Sequence, residues 1–336
     1  MKLYKYLYFF LIPCIFFGQN NSEKIKKIDN LLKISRQLSY SNSEHSIKKA
    51  QKAIKLAEKE KYAQGIAEAY NIIAYTLFYL RIHKESLYYA KKGEKYISED
   101  NYVQKADLRS ILGDICMELG LYDEAEKEFR QKLYLSDKIV KKNTKIIYIC
   151  DSYSQMGFLY AKKDNIDSSN CYYKKSLQNY SLSKVNIIDF SNYSEVYVGL
   201  GLNFIKMKKL DSAELYINKS FEILENHHIS IKDYSLYALG ILAKEKKQYE
   251  KALYFFFESI KDEKKINPKV DINNLYKNVA EIYSAMHHFE KEKEFLKKSI
   301  KQKDSIEIER NKSIEFVLKN LINTEQYNRE NKTSKN

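Results

Sequence analysis

The stretch LGDICMELGLYDEAEKEF, Leu112 to Phe129, decides the reading of this chain. Its apolar and small residues recur at helical spacing on both sides of Gly120, which predicts two amphipathic helices joined by a glycine-marked turn. Gly113 and Ala125 are small where the two helices must touch, and Tyr122 and Phe129 fill the space beside that contact. A hairpin of this size cannot bury its apolar face alone and needs neighbours of the same kind.

Those neighbours follow in both directions. Tyr70, Ile73-Ala74, Leu77, Ser86 and Ala90 make one copy, and Tyr153, Met156-Gly157, Tyr160, Ser169, Tyr173 and Ser176 make another. Further along stand Tyr197, Leu200-Gly201, Phe204, Ala213, Ile217 and Ser220, then Leu236, Leu239-Gly240, Ala243, Ala252, Phe256 and Ser259. A weaker copy has Tyr276, Val279-Ala280, Tyr283, Leu296 and Ser299. The pair of helical patterns between Ser22 and Lys61, with Ser43 and Ser46 at the start of its second helix, lacks the Leu-Gly signal and reads as a degenerate first copy.

In these residues the chain resembles the tetratricopeptide repeat family, whose signature is an aromatic, Leu-Gly, Tyr, Ala, Phe and a second small residue. The resemblance covers about residues 24 to 300. It departs from the family in replacing the opening Trp and in having only Pro268 where repeats often close on proline. It implies an all-α, tetratricopeptide-like solenoid, a right-handed superhelix of about six to seven long hairpins. The expected hairpins span about 24–61, 66–98, 105–140, 144–180, 186–226, 232–264 and 271–300, with a capping helix at 301–325 and a disordered tail at 326–336.

The small-residue slot falls at Ala74, Gly113, Gly157, Gly201, Gly240 and Ala280, giving spacings of 39, 44, 44, 39 and 40 residues. A usual repeat takes about 34. The surplus reads as longer helices, because Leu133, Leu135, Ile139 and Val140 continue the third hairpin and Ile146, Ile147 and Ile149 lead into the fourth.

Composition agrees with a helical body. Nine Gly and two Pro among 336 residues leave few turns, while a sandwich or an α/β enzyme consumes many. A chain this long buries about 75% of its unfolded surface. The net charge of +14 is carried almost wholly by Lys, which alternates with Glu along helical faces. That is a solvated exterior rather than the Arg-rich stripe that reads phosphates or bases, so nucleic-acid binding by the Lys surface is the weaker alternative and no nucleic acid is expected as a partner.

Residues 1–18 read as a secretory signal peptide: Lys2 and Lys5, an apolar run from Tyr6 to Phe17, and Gly18 before polar Gln19-Asn20-Asn21. Pro13 before Cys14 argues against a lipoprotein box. Export to the periplasm or envelope, or secretion, is therefore expected, with no membrane span in the mature chain. Cys116, Cys150 and Cys171 form neither a CxxC pair nor an even set, so they read as small core residues.

No catalytic motif is present: there is no G-x-S-x-G, phosphate-cradling glycine run or H-E-x-x-H. His227-His228 and His287-His288 lack further ligands at fixed spacing, and neither a cofactor nor a metal is expected. The sequence thus reads as a non-enzymatic scaffold. In such a solenoid the first helix of each hairpin lines the concave face. Positions pointing away from the hairpin contact are Asn71, Tyr75, Phe78, Tyr79, Ser110, Asp114, Met117, Ser154, Phe158, Val198, Leu202, Ile205, Tyr234, Tyr237 and Ile241. This apolar, Tyr-rich lining suits an extended peptide or an amphipathic helix of a protein partner. Asn71 stands there without the paired basic residues of a carboxylate clamp. The competing reading is the sensor part of a bacterial signal-transduction or transcription regulator without its membrane and DNA-binding output module. The sequence fixes neither the partner nor the oligomeric state.

Overall fold

A computed structural model of the chain describes residues 8–39, 42–80, 82–182, 190–228, 232–266 and 272–304. Among them every regular element is a helix. In chain order these are α1 (Tyr8–Leu38), α2 (Ser43–Lys59), α3 (Ala63–Tyr79), α4 (His83–Glu94), α5 (Tyr102–Glu118), α6 (Tyr122–Asp137) and α7 (Lys142–Lys162). They continue as α8 (Ile166–Leu182), α9 (Phe190–Lys206), α10 (Leu210–Asn226), α11 (Asp233–Glu245), α12 (Tyr249–Ile266), α13 (Asn273–Ala285) and α14 (289–304). The capping helix and tail expected after residue 304 lie outside the described residues.

Two compact units divide the chain, one reaching Ile111 and the other beginning at Leu112. In the first, α1 packs on α2 and α3 on α4, and α1 also touches α3. Its core includes Ile28, Leu32, Ile47, Ile54, Ile73 and Leu77. In the second, α7 packs on α8, α9 on α10 and α11 on α12, while α7 touches α9 and α9 touches α11.

Why the pairs close is visible at the small residues. A Cβ placed on Gly113 would sit 2.3 Å from Phe129 Cε1, and one on Gly157 2.6 Å from Tyr173 Cδ1, so only glycine lets these rings cross the helix. Hydroxyls then tie the two helices of several hairpins together, and α7 to α8 at both ends. Ser86 Oγ donates to Ala74 O and Ser169 Oγ to Gly157 O, both at 2.7 Å. Near the open end, Ser176 Oγ donates to Cys150 O at 2.8 Å and Ser259 Oγ to Asp233 O at 2.9 Å.

The turns inside the third to seventh hairpins share one conformation. Gly120, Asp164, Lys208, Lys247 and His287 all have φ between 56° and 77°. The following amide in each turn reaches back five residues, as in Leu121 N to Cys116 O at 2.8 Å and Gln248 N to Ala243 O at 2.8 Å. This is the Schellman closure, which satisfies the last helical carbonyls through a left-handed residue. His228 (φ 55°) and His287 (φ 59°) are therefore explained as turn residues.

Three expectations change in detail. Helix α2 is capped by Asn42, whose Oδ1 accepts from His45 N at 3.1 Å, one residue before Ser43. Helix α6 stops at Asp137, so Ile139 and Val140 do not extend it; Ile139 is buried in the turn and Val140 is 95% exposed. The additional length goes instead to α7, whose 21 residues span about 31 Å and include Ile146, Ile147 and Ile149. Finally, Cys150 is buried but Cys116 is only half-buried and Cys171 is exposed, because Cys171 lies on the outward side of α8.

Candidate functional site

The first helices, α7, α9 and α11, touch one another across hairpins, which makes them the tighter, inner layer of the second unit. Leu202, Tyr234 and Ile241 are half-buried against a shared cluster that contains Ala238 and Leu242. Tyr237 continues this surface, its ring stacked on Tyr234 with centroids 6.4 Å apart and tilted against Phe256 at 6.1 Å. Burial raises the phenol pKa of both tyrosines, assisted by Glu195 at Tyr234 and Glu281 at Tyr237, so both stay protonated and able to donate. Ser154 is half-buried on α7, and Phe158 is exposed beside it with Lys162 Nζ 5.2 Å from its ring centre.

In the first unit, α3 presents a smaller patch. Tyr75 stacks on Tyr79 at 6.4 Å, and Phe78 meets Tyr79 edge-on at 5.7 Å. Asn71 lies one turn before Tyr75, with its Oδ1 buried and receiving no hydrogen bond.

Four expected lining residues do not reach solvent. Ser110 is 6% exposed in the first unit, and Met117, Val198 and Ile205 are 8%, 0% and 6% exposed in the second. Met117 packs with Phe129, Met156 and Leu159, while Val198 and Ile205 pack with Ile217, Ala238 and Leu242. An inner helix is covered by its hairpin partner and by the neighbouring hairpins, so the stripe left open is narrower than the half-helix counted from sequence.

Beside this lining lies a polar node that the sequence reading did not find. Lys132 on α6 is 1% exposed, yet its Nζ bonds Asp151 and, at 2.7 Å, Gln155 Oε1, both on α7. Gln155 Nε2 donates in turn to Asp114 Oδ1 and Oδ2 on α5, at 3.1 and 3.3 Å. Burial pushes the Asp114 carboxyl up to about 7; the nearby Lys132 charge lowers it and the Asp151 charge raises it. The signal was available. Gly93, Ser176, Ser220 and Ser259 occupy the position seven residues after the first small slot of α4, α8, α10 and α12, and in α6 Lys132 stands there, seven residues after Ala125.

On a smaller scale, Asn203, 2% exposed on α9, donates to Ser169 Oγ at 2.7 Å and Asn170 Oδ1 at 2.9 Å and joins the fourth and fifth hairpins. Cys150 lies in the hydrophobic core behind α7, where burial and the adjacent Asp151 push its thiol up to about 12, which removes it as a nucleophile.

No family model and no curated protein matches the chain. Solved structures do. The apo form of RapI is 17% identical with a TM-score of 0.62, covering 84% of this chain and 99% of RapI. A STAND protein with a tetratricopeptide repeat sensor from Pyrococcus horikoshii is 18% identical with a TM-score of 0.55, over 76% of this chain and 38% of that one.

The fold is a tetratricopeptide-like array. A third neighbour of this fold is the Rap conjugation gene regulator of the plasmid pLS20 in complex with the Phr* peptide, 17% identical with a TM-score of 0.59, over 79% of this chain and 70% of that one. At such identities the tetratricopeptide-like likeness is one of architecture.

Proposed function

We propose that the chain is an exported, non-enzymatic helical-repeat scaffold that binds an extended peptide or a protein segment on its inner helices. The observation that carries this reading is the continuous half-exposed surface of Leu202, Tyr234, Tyr237 and Ile241. Aromatic rings that are fixed by stacking offer large contact area at little entropic cost, and their phenols can donate to a bound backbone. The peptide complex of a structure with the same architecture supports the choice of ligand.

The test is selection from a displayed library of random peptides against the purified protein. Enrichment of one peptide class, with saturable binding that falls at least tenfold in Tyr237→Ala while the melting temperature holds, supports the reading. No enrichment, or binding untouched by Tyr237→Ala and Phe158→Ala together, overturns it. Export rests on the layout of residues 1–18, and a mature N-terminus at Gln19 found by mass spectrometry is its expected signature.

A sensor role within a signalling system is the second reading. It is favoured by the likeness to the STAND protein with its tetratricopeptide repeat sensor. No described helix is long and apolar enough to cross a membrane.

A further inference from the structure

The node between the third and fourth hairpins holds one ammonium and two carboxylates. Lys132 from α6 is engaged by Asp151 and by Gln155 Oε1 of α7, and Asp114 of α5 receives its hydrogen bonds from the Gln155 carboxamide. The charged groups facing Asp114 are thus Lys132 on α6, Asp151 on α7 and, along its own helix, Glu118. A single buried cation cannot neutralise two carboxylates in a poorly solvated site, and the cheaper arrangement leaves a proton on one of them. Asp151 holds the ammonium directly and is 35% exposed at its side chain, so it is the better place for the negative charge. Asp114 is bonded through a neutral amide and is the better place for the proton.

We propose that the junction of the third and fourth hairpins carries one exchangeable proton on Asp114, whose release changes the triad of Lys132, Asp151 and Asp114 from net neutral to net negative. Protonated, Asp114 keeps an oxygen that accepts from Gln155 Nε2, so the bridge between α5 and α7 persists. Released, the second carboxylate competes with Asp151 for Lys132. The junction is then strained by like-charge repulsion, and the inner face beside Ser154 becomes selective for a cationic group over an anionic one.

The linkage sign follows from the position of the group. Its carboxyl is raised from 3.8 to about 7, so between those values the folded chain binds more protons than the unfolded one. Its contribution to stability falls as pH rises through this window and levels off above about 7. An ordinary ion-paired aspartate has the opposite slope.

The experiment combines thermal melts from about pH 5 to about pH 8 with a carboxyl carbon NMR titration, on the wild type, Asp114→Asn and Asp151→Asn. One aspartate resonance is expected to titrate near neutrality and to vanish in Asp114→Asn. That variant is expected to lose the fall in melting temperature across neutrality that the wild type shows. In Asp151→Asn the charge that raises Asp114 is gone while the Lys132 charge that lowers it remains, and the same resonance is expected to move down toward the usual carboxylate range. The proposal is overturned if the pH slope survives Asp114→Asn, or if no aspartate in the wild type titrates near neutrality. The NMR arm decides the matter on the wild type even if a variant fails to fold, and neither arm requires a ligand.

Discussion

The ring of Phe129 stands in the space that a side chain on Gly113 would occupy, with Cε1 2.3 Å from that position. Both residues are fully enclosed, so neither can move aside without opening the hairpin. Gly113→Ala is therefore expected to destabilise the second unit by about 1–3 kcal/mol, through overpacking rather than through lost contacts. Urea denaturation measures the loss, and adding Phe129→Leu to Gly113→Ala is expected to return part of it. A neutral Gly113→Ala would mean that the two helices do not cross at this point.

Lys132 is the group whose removal leaves the largest imbalance. In Lys132→Met the aliphatic volume stays, but Asp114 and Asp151 lose their shared cation. The expected cost is about 2–4 kcal/mol near pH 8, at the lower side of the cost of breaking a buried pair because Asp151 is partly solvated. It is expected to shrink at pH 5, where the carboxylates can take up protons. Equal losses at the two pH values would contradict this account.

Lys208 and Lys247 occupy left-handed turn positions, at φ 57° and 58°, that disfavour side chains. Their side chains are exposed. Replacing either by Gly is expected to raise stability by about 0.5–1 kcal/mol, the relief of backbone strain less the added freedom of the unfolded chain. Thermal melts of the single variants read this directly; a loss would show that the lysine stems contribute packing that exceeds the strain.

The cysteines are expected to separate by reactivity. Cys171 is exposed and should be titrated rapidly by a thiol-specific disulfide reagent in the native state. Cys150 is buried with its thiol pushed up to about 12, and should react only when the chain is unfolded. Labelling followed by peptide mass mapping distinguishes them.

The array was legible in the sequence because it depends on size at fixed positions. Gly113 with Phe129, Gly157 with Tyr173 and Gly240 with Phe256 are steric pairs, and sterics leave a residue-type signature. The lining was less legible. Met117, Val198 and Ile205 satisfy the angular criterion for the inner side of a helix, yet the adjoining hairpin covers them, and a single helix does not encode the approach of its neighbours. Lys132 was overlooked for a different reason: a lysine on an amphipathic helix reads as surface, and its burial is seen only when it is aligned with Gly93, Ser176, Ser220 and Ser259.

Ser176 and Ser259 each bond a carbonyl 26 residues earlier, on the first helix of their own hairpin. Both bonds begin and end within one repeat, so they do not depend on the repeat next door. Excising one complete repeat would leave these two bonds whole wherever the repeat removed is another one, whereas excising a single helix of either hairpin would orphan one; the bonds lost at the new border would be the ones between hairpins, such as Asn203 to Ser169 and Ser220 to Ser235. Gene duplication could lengthen or shorten such an array by whole hairpins without redesigning their closure.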